Sequence, residues 1–199
     1  MDHKSGFVNI IGNPNVGKST LMNALIGHKL SIITNKAQTT RHRILGILNE
    51  KNYQIIFSDT PGVIKPMYKL QENMMNSVYS SFEDADIIMY MVEIGEKTLK
   101  DKFLFKKLSK TNIPVIILIN KIDLATQDFV FKELEKWRCI FPNADLLPIS
   151  ALNNFNLDSI KNKILDILPI CPPYYSKDAL TDKSERFFIE EIIREKILK

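Results

Sequence analysis

The sequence holds little cysteine and no long apolar run. Two cysteines in 199 residues, Cys139 and Cys171, make no disulfide framework and are not spaced as CxxC. A disulfide-stapled scaffold is excluded, and two reduced cytosolic thiols are expected. The longest apolar stretches, Ile87–Val92 and Val115–Ile119, fall far short of the ~20 residues of a spanning helix. The stretch Met1–Gly6 lacks the apolar segment of a secretory signal, which predicts a cytoplasmic protein. His3, His28 and His42 have no metal-ligand spacing, so no zinc site is expected. Neither sign of charge dominates. The 27 basic and 23 acidic residues leave a net +4, which excludes a strongly basic nucleic-acid arm. With 45% hydrophobic residues, the chain is too apolar for overall disorder and long enough for a sizeable core.

What is present is an alternation of two periods. Short apolar runs predict strands at Phe7–Ile11, Arg43–Asn49, Tyr53–Ser58, Asp86–Val92, Pro114–Ile119 and Asp145–Ile149. Helix-period segments fall at Lys18–Gly27, Leu70–Phe82, Lys100–Lys110, Phe129–Trp137 and Asn156–Leu168. In the second of these, Leu70, Met74, Met75, Val78 and Phe82 make the apolar stripe. Glu50-Lys51-Asn52 is the turn of a hairpin, and Ser31–His42 and Asp59–Lys69 are loops. The expected fold is α/β: a mostly parallel six-stranded sheet with one antiparallel edge strand and helices on both faces. Pro169, Pro172 and Pro173 end this first domain near residue 173. Residues 174–199 then read as a linker and one amphipathic helix, Ser184–Leu198. Asp182 and Glu185 are spaced like its capping box, and Phe188, Ile192, Ile193 and Ile197 form its apolar stripe.

The strongest motif is Gly12-Asn13-Pro14-Asn15-Val16-Gly17-Lys18-Ser19, followed by Thr20. It lies between a predicted strand and a predicted helix and fits G-x-x-x-x-G-K-[ST]. Its glycines let successive backbone N–H groups curl around phosphate oxygens, and the helix start adds a positive end. Lys18 suits the outer phosphates, and the Ser19 hydroxyl suits Mg²⁺. Asp59-Thr60-Pro61-Gly62 follows the hairpin. Its carboxylate sits where a Mg²⁺ shell would be held, and the Gly62 N–H can approach a terminal phosphate. Asn120-Lys121-Ile122-Asp123 follows the fifth strand. One carboxylate at Asp123 accepts from both N1–H and the 2-amino group of guanine, a pair that adenine lacks. The Lys121 stem can cover the base. In Ser150-Ala151-Leu152 a small residue lets a backbone N–H reach the guanine O6. The loop Lys36-Ala37-Gln38-Thr39-Thr40-Arg41 is a candidate switch, in which a threonine ligates Mg²⁺ only while the γ-phosphate is present. Thr40 is the preferred ligand and Thr39 the alternative. Lys97, Lys100, Lys102, Lys106, Lys107 and Lys110 are either a solvated face or an rRNA or membrane patch.

The order and spacing of Gly12–Ser19, Thr39–Thr40, Asp59–Gly62, Asn120–Asp123 and Ser150–Leu152 resemble the five G motifs of small translational GTPases. Asn15–Leu21, Lys36–Arg43 and the tail Thr181–Phe187 with Glu191–Lys196 are similar to the Era-like family. The resemblance implies a P-loop NTPase G domain at 1–173 and the start of a KH-type RNA-binding domain at 174–199. It implies GTP and GDP as ligands, Mg²⁺ held by Ser19, Thr40 and Asp59, and a catalytic set of Lys18, Thr40, Gly62 and Asn15. Asn15 would ligate K⁺, or else only order its loop. Val63 stands where Ras-like proteins place a glutamine, so slow intrinsic hydrolysis is expected. Arg41 and Arg43 either act as cis arginine fingers or face solvent or RNA. The implied role is in 16S rRNA processing and assembly of the 30S subunit, as a monomer with peripheral association at the inner membrane. No Gly-x-x-Gly follows Gly95, so RNA contact through a KH loop is not expected from these residues. The alternative role is a GTP/GDP sensor with negligible unaided turnover and no RNA binding.

Overall fold

The structure is a computed structural model that describes residues 3–34, 36 and 38–199. Met1 and Asp2 of the N-terminal stretch, Asn35 of the predicted loop Ser31–His42 and Ala37 of the candidate switch lie outside the described residues. Six strands form one sheet: β1 (Lys4–Ile11), β2 (Ile44–Glu50), β3 (Tyr53–Asp59), β4 (Ile87–Glu93), β5 (Val115–Asn120) and β6 (Asp145–Pro148). Their order is β2-β3-β1-β4-β5-β6. Only the β2–β3 hairpin pair is antiparallel among these pairings. The helices are α1 (Lys18–Ile26), α2 (Lys69–Glu83), α3 (Lys102–Lys110), α4 (Gln127–Ile140), α5 (Leu157–Ile167) and α6 (Glu185–Leu198).

Each face of the sheet buries its own core. Val8, Ile10, Ile55 and Met89 meet Leu21 and Leu25 of α1 and Ile160 and Ile164 of α5. On the other face Ile88, Tyr90 and Ile117 meet Met74 and Val78 of α2, Leu104 of α3 and Trp137 of α4. Burying each such side chain contributes about 1.5–3 kcal/mol. Burial on both faces explains why β4 and β5 read as unbroken apolar runs rather than alternating ones. Leu70 departs from the expected stripe and is exposed. It lies at the first turn of α2, beyond the reach of the core.

The proline-rich stretch after α5 is pinned to the sheet. β1 pairs with β4 only from Val8 onward, so its first residues have a free side. Ile170 occupies that side opposite Lys4. Cys171 N donates to the His3 carbonyl (2.9 Å) and Ser5 Oγ to the Pro172 carbonyl (2.6 Å). The chain then covers the β2 edge. Ile47 N donates to the Leu180 carbonyl (2.9 Å), and the buried Gln54 accepts from Tyr174 N and Tyr175 N. Such cover removes an edge open to pairing with another chain.

α6 starts at Ser184, whose Oγ accepts from Phe187 N (3.4 Å). The expected Asp182 cap is used elsewhere, because Asp182 Oδ1 accepts from Leu45 N (3.1 Å). The apolar stripe of α6 is split: Phe188 packs against the core beside Phe187, whereas Ile192, Ile193 and Ile197 face outward with Ile189. Glu191 and Glu195 are buried. Glu195 receives Lys29 (2.6 Å) and Lys199 (3.0 Å). Hydrogen bonds from these two lysines hold the Glu195 carboxyl down at about 2.

A group with a depressed folded pKa contributes stability above its unfolded pKa and loses it as pH falls through the folded one. The stability difference between the native chain and Glu195→Gln should therefore be constant from pH 7 to about 4.5 and shrink toward pH 2. Denaturant titrations of both proteins across that range measure it.

Candidate functional site

The motif residues gather beyond the carboxyl ends of the parallel strands, where open α/β sheets place their ligands. Between β1 and α1 the chain turns through left-handed conformations at Asn15 (φ 64°) and Gly17 (φ 105°). A Cβ on Gly17 would sit 2.4 Å from Asn120 Nδ2, and one on Gly12 would sit 2.3 Å from the Met91 carbonyl oxygen. Both glycines are thus demanded by close approach, and Gly17 also by its conformation. Lys18 Nζ arcs back over the loop to the carbonyls of Gly12 (3.1 Å) and Asn13 (2.8 Å). Burial lowers its pKa to about 8, with Asp59 and Glu96 acting in the opposite direction. A buried ammonium in this position is compensated by an anionic ligand.

Ser19, Thr40 and Asp59 meet at one point. Ser19 Oγ donates to Asp59 Oδ2 (2.7 Å) and lies 3.0 Å from Thr40 Oγ1, which is itself 3.4 Å from Asp59 Oδ2. Burial raises the pKa of Asp59, against the pull of Ser19 and Lys18. Asp59 Oδ1 is buried with no hydrogen-bond partner among the described residues. Hard oxygen donors and a buried carboxylate with one unpaired oxygen suit Mg²⁺. Neighbouring oxygens of its octahedron lie about 3 Å apart, the spacing of the two hydroxyls here. Thr39 points elsewhere: its hydroxyl donates to the Lys36 carbonyl (2.7 Å) and meets Thr34 Oγ1 (2.7 Å). Of the two threonines, Thr40 is the one at the cluster.

A cavity of about 470 Å³ opens beside this point. It is lined by Pro14, Asn15, Gly17, Lys18, Ser19, Thr20, Gln38, Thr39, Thr40, Thr60, Gly62, Asn120, Lys121, Asp123, Ser150, Ala151 and Leu152. Gly12, Asn13, Val16 and Asp59 do not line it. Asn13 turns its side chain away, donating to Glu96 and to the Thr98 carbonyl and accepting from Lys100 N. Val16 is buried in the core. Gly12, Asn13 and Val16 thus leave only backbone for a ligand. Gly62 packs against the loop so closely that a Cβ would lie 2.7 Å from Pro14 Cα. Val63 is fully buried and its N–H donates to the Gly12 carbonyl (3.0 Å). Arg43 is held by Ser58 Oγ (2.8 Å) and Asp84 (2.8 Å), away from the cavity.

Asn120 has a tying role that its motif alone does not reveal. Its Nδ2 donates to the Val16 carbonyl (2.7 Å), and its Oδ1 accepts from Ala151 N (2.9 Å). One buried amide thus joins the phosphate loop to the loop after β6. The Ala151 N–H is engaged here, so a contact from this stretch to a base falls to a shared donor or to Leu152. Lys121 adopts φ 64° and pairs with Glu93 (2.8 Å). Cavity residues that the sequence did not single out are Ile32, Ile33, Thr34 and Leu124. Most of them sit in a loop whose start Asn23 fixes: its Oδ1 accepts from Leu30 N and Ser31 N (both 2.9 Å). No local pattern marks such residues.

A phosphate loop, a hydroxyl–carboxylate cluster and two base-side loops at these strand ends define a P-loop NTPase of the G-protein class. A family model described as 50S ribosome-binding GTPase matches residues 7–121. The GTPase Era of Clostridium beijerinckii is 46% identical over 197 residues, covering 98% of this chain and 66% of that protein. The crystal structure of Era in complex with MgGDPNP and nucleotides 1506–1542 of 16S ribosomal RNA superposes with a TM-score of 0.92 at 40% identity. It covers 98% of this chain and 67% of that one. A variant of Aquifex aeolicus Era bound to GDP·AlF4⁻ gives 0.91 at 41%, over 97% of this chain and 66% of that one. The chain belongs to the Era family of GTPases. It spans about two thirds of the length of the curated relatives it matches.

Replacing Asn120 with Ala leaves a buried carbonyl and a buried N–H without partners. Loss of about 1–3 kcal/mol of folding stability is expected, with GDP and GTP affinity falling together. Denaturant melts and nucleotide titrations check both.

Proposed function

We propose that the chain binds GTP and GDP with Mg²⁺, hydrolyses GTP slowly, and works as a switch resembling Era in 16S rRNA processing and 30S subunit assembly. The observation that carries this reading is the meeting of Ser19, Thr40 and Asp59 within 2.7–3.4 Å. It joins the phosphate loop, the switch loop and the end of β3 at one point. The relatives add support: solved Era structures hold MgGDPNP with 16S rRNA, or GDP·AlF4⁻.

In this reading the backbone N–H groups of 13–20 cradle the phosphates, and Lys18 exchanges its carbonyl partners for phosphate oxygens. Ser19 and Thr40 supply the metal-facing hydroxyls, with the Asp59 carboxylate behind them. Bound Mg²⁺ neutralises charge that spreads over the transferred phosphoryl group. The Gly62 N–H meets the γ-phosphate, which the close packing of Gly62 on Pro14 favours. Asp123 accepts from the guanine edge and Lys121 covers the base. Asn15, exposed at the loop tip, is proposed as a K⁺ ligand that assists hydrolysis. Residues 1–173 act as the G domain, and 174–199 as the linker and first helix of a KH-type RNA-binding domain. The proposed protein is a cytoplasmic monomer with peripheral inner-membrane association. Among the described residues no helix is long and apolar enough to cross a membrane.

The buried Val63 favours a second reading, a GTP/GDP sensor without unaided turnover. Its side chain lies in the core and cannot orient water. Single-turnover GTP hydrolysis in K⁺ and in Na⁺, with and without 16S rRNA 3′-end RNA, separates the two. The proposal expects measurable turnover, faster in K⁺. Tight nucleotide binding with no turnover under any of these conditions would establish the sensor instead.

A further inference from the structure

The face that α6 buries carries Glu191 and Glu195 beside Phe187 and Phe188, and it lies along the loop that carries Thr40. Arg194 Nη2 donates to the Thr39 carbonyl (2.6 Å). Glu191, on the preceding turn, grips the same guanidinium through Nε (2.8 Å) and Nη2 (2.5 Å). A carboxylate fork of this kind fixes an arginine in one orientation. Both side chains are largely shielded, at 18% and 11% exposure. The helix is anchored again before the loop, by Glu195 on Lys29 (2.6 Å), and touches it after Thr40, where Phe187 meets His42 edge-on at 6.4 Å.

The Thr39 carbonyl and the Thr40 N–H belong to one rigid peptide plane. Holding that carbonyl therefore restricts how Thr40 can swing. The Thr39 hydroxyl is occupied with Lys36 and Thr34, so this residue serves as the fixed side of the joint. The Thr40 hydroxyl is left facing Ser19 (3.0 Å).

We propose that Arg194 is a positioning residue of the nucleotide site: through the Thr39 carbonyl it keeps the Thr40 hydroxyl aimed at Ser19 and Asp59. The proposal rests on the reading of Thr40 as the residue that closes only around a triphosphate. Arg194 then favours the triphosphate state over the diphosphate state. By linkage, a bound triphosphate strengthens the docking of α6 to the same degree.

The test is the affinity of the full chain for GDPNP and for GDP, with Mg²⁺, in the native protein and in Arg194→Ala, Arg194→Lys and Glu191→Gln. Hydrogen bonds from charged groups are among the stronger ones in proteins. With part of that strength reaching Thr40, Arg194→Ala should lower the GDPNP-to-GDP affinity ratio about tenfold, mainly through GDPNP. Arg194→Lys keeps one donor and should recover much of the ratio. Glu191→Gln loosens the fork and should lower the ratio less, which preserves the test if Arg194→Ala does not fold. An unchanged ratio, or equal loss for both ligands, would overturn the proposal alone. Failure of the native chain to bind GDPNP would overturn the site reading and this proposal with it.

Discussion

The buried carboxylate of Asp59 is the constraint around which the site is arranged. It ends β3 beneath the phosphate loop, fully shielded, with one oxygen on the Ser19 hydroxyl and the other without a partner among the described residues. A carboxylate in that position is costly unless a cation meets it. Lys18 contributes one, at the expense of its own desolvation. Hydroxyl oxygens at a metal-like spacing contribute the setting for another. The rest of the site serves this electrostatic balance. Gly17 and Gly12 bring the loop close, Asn120 locks it to the base side, and Gly62 seats the following loop against Pro14.

The sheet explains why these parts coincide. In the order β2-β3-β1-β4-β5-β6, β1 lies beside β3 and one strand away from β5, all three parallel. Their carboxyl ends therefore deliver Gly12, Asp59 and Asn120 to one rim. Apolar burial on both faces keeps that rim rigid. The loop between α1 and β2 is held by polar side chains at two described points: Asn23 at its start and Arg194 at Thr39. A loop secured by a few polar contacts is suited to two arrangements, whereas a strand end is not.

Much of the fold was legible in the sequence because it is written locally. β-branched runs marked the six strands, and the glycine-rich turn before Lys18 marked the phosphate loop. Motif spacing named most of the cavity lining. What was not legible depends on contacts between distant residues. The side chain of Asn13 belongs to the loop around Glu96, and the amide of Asn120 bridges two loops, neither of which a motif shows. The apolar periodicity of α6 does not identify its inner face. Phe187 and Phe188 meet the core, and Glu191 and Glu195 go inward beside them, where Glu195 meets Lys29. No window of sequence holds Lys29 and Glu195 together.

As proposed, Ser19, Thr40 and Asp59 form a Mg²⁺ seat that the switch loop completes only around a triphosphate. The most direct measurement is the Mg²⁺ dependence of GDPNP and GDP affinity in the native chain and in Thr40→Ala. Mg²⁺ should strengthen GDPNP binding at least about tenfold in the native chain, the low end of what residues around a metal site typically contribute. Thr40→Ala should lose most of that gain while binding GDP as before. Equal Mg²⁺ dependence in the two proteins would contradict it.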